Sequence, residues 1–329
     1  MLTRAGLSLR HRLDDVAALA TLAPSAGNRQ PWNWSVAADA LALYAEPDRL
    51  AGGPRLGDHD LMVSLGATLL YARVALSEAG LDAVVTASPP RPGEAGRNPR
   101  EPVARIQVLG SRWQSPDEGV LAGGVLAEGA LAEAARRRHH GRPCFTVGPV
   151  PPGAVRQVRA AAEREGGWVE DVGLQMTTVN RADLVARPDW AEPPEPLYQT
   201  CSPEPWRGAP RGAVAAGLAP TVGILLLGVA GEHPLDDLMG GQALARVLLT
   251  ASALGLGVSP AAPAAADGWG QASGLPGPVR MVLRVGAPLD GPRLVRAGSR
   301  RRLGDVVTAR RAGWEPVPPA RRGKGRTSP

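Results

Sequence analysis

Apolar residues recur at helical spacing through Leu13, Val16, Ala17, Leu19, Ala20 and Leu22, which predicts a short helix over 13–22. From Trp34 onward the pattern turns to alternation, and 40–45 reads as a strand. Between them the run Ala23-Pro24-Ser25-Ala26-Gly27-Asn28-Arg29-Gln30-Pro31-Trp32 follows neither period. Proline, serine and glycine account for a helix-to-strand turn. They do not account for Asn28, Gln30, Pro31 and Trp32 standing together. A turn of this kind presents backbone N–H groups and polar side chains to a ligand. The plainer alternative is a tight surface turn with Trp32 plugging the core beneath it.

Two later segments are apolar on nearly every face. Residues 66–81 and 241–256 lie 175 positions apart, and Gly66, Leu69, Ser77, Gly80 and Leu81 meet identical residues across that offset. Helices apolar all round are buried ones, and the small residues imply close packing. A strand is predicted after each, at 103–108 and 279–285. The shared order helix-then-strand points to an internal duplication. Further strands are predicted at 168–172 and 221–229, and further helices at 125–138 and 152–165. The result is an α+β fold, with central sheets flanked by helices and the chain built as two fused halves. The halves are placed at 1–115 and 120–312, with a flexible basic tail at 313–329.

Composition narrows the chemistry. The chain has 329 residues, 44% of them hydrophobic, ample for a core, and eight of its twelve aromatic residues are tryptophan. The formal charge is +6, but residues 300–329 hold nine basic residues against Asp305 and Glu315, a net of +7. The rest of the chain is near neutrality, so a generally basic surface for nucleic acid is not expected. Lys324, in the tail, is the only lysine. Schiff-base, pyridoxal-phosphate and phosphate-cradling lysines need a folded element, so those classes are excluded. Any bound anion must be held by arginine and backbone N–H groups. Cys144 and Cys201 give neither metal-ligand spacing nor a disulfide framework. The first 30 residues lack a long apolar stretch and no window reaches 18 apolar residues, so no signal peptide or membrane span is expected. The cytoplasm is the default location.

Three segments carry candidate chemistry besides the 24–32 turn. Arg136-Arg137-Arg138-His139-His140-Gly141-Arg142 closes a helix and opens the second half. A basic helix end favoured by the helix dipole would explain it without function. Ser299-Arg300-Arg301-Arg302-Leu303-Gly304-Asp305 stands near the end, and its plain alternative is an exposed basic strand end. Residues 187–212 combine several prolines with Trp190, Tyr198 and Trp206, too aromatic for simple disorder. This stretch is read as a lid over a site or a proline-stiffened surface crossing.

The wording A-P-S-x-x-N-x-Q-P-W resembles the flavin-binding turn of the nitroreductase family, whose members use FMN and NAD(P)H. Arg138, His140 and Arg142 stand at the spacing of that family's R-x-S-x-R/K segment, with His140 in place of the usual Ser or Thr. Arg300, Arg301 and Arg302 resemble its closing basic motif. The resemblance spans roughly residues 10–310 and is strongest to the Acg-type branch, in which two nitroreductase-like halves share one chain. It implies a nitroreductase-like fold with the halves forming a pseudo-dimer. It implies an FMN-binding site of Ser25, Asn28, Gln30, Pro31 and Trp32 with Arg138, His140, Arg142, Arg300, Arg301 and Arg302. The flavin then carries the chemistry, no catalytic side chain or metal is needed, and NAD(P)H is the electron donor. Each motif occurs once, so a single composite FMN site is expected. The acceptor is a small molecule such as a nitroaromatic or quinone. No nucleic-acid or membrane partner is implied, and the chain is expected to be a monomer, with a homodimer as the alternative. The rival functions are sequestration of FMN under a lid, oxidative tailoring of a peptide or natural product, and a scaffold that has lost flavin.

Overall fold

The computed structural model describes residues 8–50, 57–91, 94, 101–111, 120–121, 125–126, 128–138, 150–171, 223–261, 275–287 and 300–309. Helix α1 (Leu9–Ala20) starts at Ser8, whose hydroxyl accepts from the His11 N–H, and leads into the 24–32 turn. Strands β1 (Trp32–Val36) and β2 (Ala40–Ala45) follow, then helix α2 (Asp58–Glu78), β3 (Leu81–Ala87) and β4 (Ala104–Ser111). A short ribbon of β5 (Val120–Leu121) and β6 (Val125–Leu126) precedes helix α3 (Glu128–Arg137). The second half runs α4 (Pro152–Glu163), β7 (Gly167–Asp171), β8 (Gly223–Val229), α5 (Pro234–Ala253), β9 (Gly257–Ala261) and β10 (Val279–Gly286). A single helical turn (Leu303–Val306) then leads to β11 (Val307–Ala309).

The two halves repeat one connectivity. Strand order is β1-β2-β4-β3 in the first sheet and β7-β8-β10-β9 in the second, and every pairing within these two sets is antiparallel. The exception to the symmetry is β11. It leaves the second half and adds to the first sheet in parallel with β1, setting Trp34 opposite Val307 and Ser35 opposite Thr308.

Helices α2 and α5 are the centre of the molecule. Sixteen of the 21 residues of α2 are buried, so its formation owes more to packing than to an amphipathic face. The 175-residue offset that aligns the helices in sequence also relates their contact. A Cβ on Gly66 would lie 2.0 Å from the Leu238 carbonyl oxygen, and one on Gly241 would lie 2.1 Å from that of Val63. Leu238 is three residues before Gly241, and Val63 three before Gly66. The contact is therefore reciprocal, backbone against backbone, and only glycine permits it. Against the expectation that no segment is apolar enough to span a membrane, α2 meets that test by length and composition. Its 18-residue window has a mean hydropathy of 1.3, but 89% of that window is buried inside the fold, as befits a core helix.

Candidate functional site

The 24–32 turn folds because its residues supply its own hydrogen bonds. The Ser25 carbonyl accepts the Asn28 N–H (3.0 Å), and the Ser25 hydroxyl accepts the Gln30 N–H (2.9 Å). Gly27, Asn28 and Gln30 all take left-handed backbone, with φ of 54°, 52° and 50°. Asparagine tolerates this conformation, whereas at Gln30 it costs about 1–2 kcal/mol that the surroundings must offset. They do so from two sides. On α2, the Ser64 hydroxyl accepts the Ala26 N–H (3.2 Å) and donates to the Asp60 carbonyl (2.7 Å). One helical turn on, Thr68 donates to the Ala20 carbonyl (2.8 Å) and accepts from the Trp34 indole (3.2 Å).

The second side comes from the far end of the chain. Arg300 donates Nη1 to Asn28 Oδ1 (2.8 Å) and Nη2 to the Leu22 carbonyl (3.2 Å). The Arg301 backbone N–H donates to Gln30 Oε1 (2.9 Å). Its guanidinium reaches the Gln30 carbonyl (3.1 Å), the Trp32 carbonyl (2.9 Å), Glu46 Oε2 (2.7 Å) and the Asp305 carbonyl (2.7 Å). Arg300 and Arg301 therefore clamp the turn, and β11 beside β1 brings them to it. Arg302 is exposed next to them.

Of the residues singled out from sequence, Ser25, Asn28, Gln30, Pro31 and Trp32 thus meet Arg300, Arg301 and Arg302 at one place. Trp32 is fully buried and its indole nitrogen lacks a hydrogen-bond partner, so the side chain packs inside the turn. Arg138 is elsewhere. Helix α3 starts at Glu128, which pairs with Arg246 (2.7 Å), and reaches Arg136, which pairs with Glu78 at the C-terminal end of α2 (2.5 Å). Fourteen residues of helix, about 21 Å, separate Glu78 from Ser64 beneath the turn. The hydrogen bond to Glu78 raises the Arg136 pKa above its ordinary value, against the opposing effect of burial. His140, Arg142 and the 187–212 stretch lie outside the described residues.

The corresponding place in the second half is closed. There the helix-to-strand turn is only Arg164-Glu165-Gly166, against 21–31 in the first half. Glu165 is buried and accepts from Arg246 Nε (2.6 Å) and Arg73 Nη1 (2.5 Å), while Arg73 also meets Gln242 (2.7 Å). Met239, which the offset aligns with Ser64, sits where a Cβ on Gly166 would lie, 2.3 Å from its Cε.

Sequence reasoning missed Ser64, Thr68, Glu46, Arg29 and Arg49. The first two had a signal, a buried hydroxyl pair at i and i+4 in an otherwise apolar helix. The others bring charge. Five guanidinium groups, those of Arg29, Arg49, Arg300, Arg301 and Arg302, stand on or beside the turn against Glu46, Asp48 and Asp305. Burial lowers the Arg49 pKa from its ordinary value, and Arg301 and Arg29 add like-charge repulsion that Glu46 partly offsets. Amide and hydroxyl groups next to surplus cationic charge suit a ligand with a polar heterocycle and a phosphate, so this donor set fits FMN.

The chain is 28% identical over 275 residues to "Putative NAD(P)H nitroreductase Rv3131" of Mycobacterium tuberculosis strain H37Rv, covering 74% of each chain. It is 33% identical over 85 residues to "Putative NAD(P)H nitroreductase acg" of the same organism, covering 26% of this chain and 23% of that one. Its fold is similar to the crystal structure of a putative nitroreductase from Anabaena variabilis, with a TM-score of 0.53, 9% identity, and coverage of 85% of this chain and 88% of that one. No family model matches the chain. The resemblance read from the motifs is thus matched by relatives in sequence and by a nitroreductase fold.

Proposed function

We infer that this chain is an NAD(P)H-dependent oxidoreductase that holds a single FMN against the 24–32 turn and reduces a small acceptor such as a nitroaromatic or a quinone. The observation that carries this reading is the clamp. Arg300 and Arg301 cross some 270 residues of sequence to fix the Asn28 and Gln30 side chains on a strained, cation-rich turn. A structural turn has no need of such elaborate support. FMN, when bound, supplies the exchange of hydride and electrons between NAD(P)H and the acceptor. The chain itself positions. Ser25 shapes the turn, and the fixed amides of Asn28 and Gln30 orient the ring or its ribityl chain. Trp32 seals the floor against water.

The two halves act as a pseudo-dimer about the Gly66–Gly241 contact, with one site retained. The short 164–166 turn and the Glu165–Arg246 pair favour loss of the second site. We extend the reading to His140 and Arg142 as basic residues serving the same flavin, while Arg138, which follows α3 at the far end of α2, leads the chain toward them. An absorbance spectrum of the purified protein tests the proposal. Oxidised-flavin bands at about one flavin per chain are expected, with NAD(P)H oxidation stimulated by a nitroaromatic or quinone. A colourless protein that FMN cannot reconstitute would refute it. Bound flavin without turnover would instead identify a sequestering protein.

A further inference from the structure

The guanidinium groups that clamp the turn are already committed, which leaves the reading of an anion to others. Arg301 directs its side chain to three carbonyls and Glu46, and Arg300 directs its own to Asn28 and Leu22. Arg29 and Arg49 differ. Both are exposed, and the Arg49 guanidinium is held against the Arg29 backbone, because Arg49 Nε donates to the Arg29 carbonyl (2.9 Å). That bond uses one donor of Arg49 and none of the Arg29 side chain. Glu46, whose charge acts on Arg49, is taken by Arg301 at 2.7 Å, and neither arginine forms an ion pair among the described residues. Arg29 sits between Asn28 and Gln30, so its exposed side chain leaves the same turn that forms the proposed site.

We propose that Arg29 and Arg49 form a phosphate-reading pair at the rim of the site, while Arg300 and Arg301 only position the turn. The chemistry is that of a phosphate monoester dianion, which two guanidinium forks bind through charge-assisted hydrogen bonds. The dianion has two sources, the FMN phosphate and the 2′-phosphate of NADPH. Repulsion between Arg29, Arg49 and Arg301 is relieved by either one. This inference rests on the proposed function, since it assigns residues to the same site.

The test is the Arg29→Gln/Arg49→Gln double variant beside the parent protein and a control, Arg156→Gln, at an exposed position on α4. Dissociation constants for FMN and riboflavin are measured by flavin fluorescence, and kcat/KM for NADPH and NADH by steady-state kinetics. A fall of about tenfold in the FMN-over-riboflavin preference supports the pair and assigns it to the flavin. A similar fall in the NADPH-over-NADH preference supports it and assigns it to the donor. Both preferences unchanged overturn the proposal, as does an equal loss in the Arg156→Gln control, which would show a net-charge effect. A parent protein that binds neither flavin overturns the proposed function and this inference together. A parent that binds flavin beside a double variant with unaltered preferences overturns this inference alone.

Discussion

Replacing Gly66 with alanine sets two opposed effects against each other. In a solvent-exposed helix the change gains about 1 kcal/mol, because alanine is the better helix former. Here the new Cβ would stand 2.0 Å from the Leu238 carbonyl oxygen and 2.9 Å from its carbon. Ordinary contact begins near 3.4 Å, so α2 and α5 must separate by about 1.4 Å. The obstacle is backbone, which cannot swing aside as a side-chain tip does. A gap of about 0.5–1 Å already forfeits a quarter to a half of the dispersion between facing atoms, and this one is wider. Overpacking typically costs about 1–3 kcal/mol, and a rigid backbone partner places this case at the upper end. The net expectation for Gly66→Ala is destabilisation by about 2 kcal/mol, read as a lower urea midpoint at constant m. Gly129→Ala in α3 is the control, since nothing lies within 4 Å of its Cβ, and it is expected to stabilise by about 0.5–1 kcal/mol. The double variant Gly66→Ala/Gly241→Ala is expected to cost less than the sum of the singles, because one separation relieves both clashes. A Gly66→Ala protein as stable as its parent, with Gly129→Ala behaving as expected, would refute the reciprocal helix contact.

Other consequences follow from buried polar groups. Glu165→Gln leaves Arg246, only 1% exposed, without one of its carboxylate partners, and is expected to lower stability by about 3–5 kcal/mol in urea unfolding. Ser64→Ala removes the acceptor of the Ala26 N–H and is expected to cost about 1–3 kcal/mol, with weaker flavin retention on dialysis. Arg301→Gln releases the Gln30 and Trp32 carbonyls together with Glu46. It is expected to weaken FMN and riboflavin binding alike, because the turn loosens whichever flavin is offered. A selective loss of FMN would instead make Arg301 a phosphate ligand.

The elements were largely legible in the sequence. The helices expected at 13–22, 66–81 and 152–165 are observed as Leu9–Ala20, Asp58–Glu78 and Pro152–Glu163. Strands expected at 168–172 and 279–285 are observed as Gly167–Asp171 and Val279–Gly286. The early start of α2 was hidden because its first turn, Asp58-His59-Asp60, is polar and is set by the Asp60 carboxylate accepting the Gly57 N–H (3.1 Å). Strand β3 was missed because its half-exposed alternation is short and includes Asp82 and Thr86. Strand β11 was missed because three residues carry no period, and its partner β1 lies some 270 positions earlier.

By itself the sequence determined the periodicities, the duplicated buried helices, the exclusion of lysine chemistry and the wording of the turn. These are local or compositional properties that any fold must respect. Tertiary structure decided which arginines do what. Arg300 and Arg301 read in sequence as free cations for a phosphate, yet the parallel β1–β11 pairing carries them onto the turn's own amides and carbonyls. Arg29 and Arg49 carried no signal that set them apart in the sequence, and folding brings the Arg49 guanidinium onto the Arg29 carbonyl. A guanidinium's role follows from which acceptors surround it, and those acceptors come from segments that only chain closure brings together.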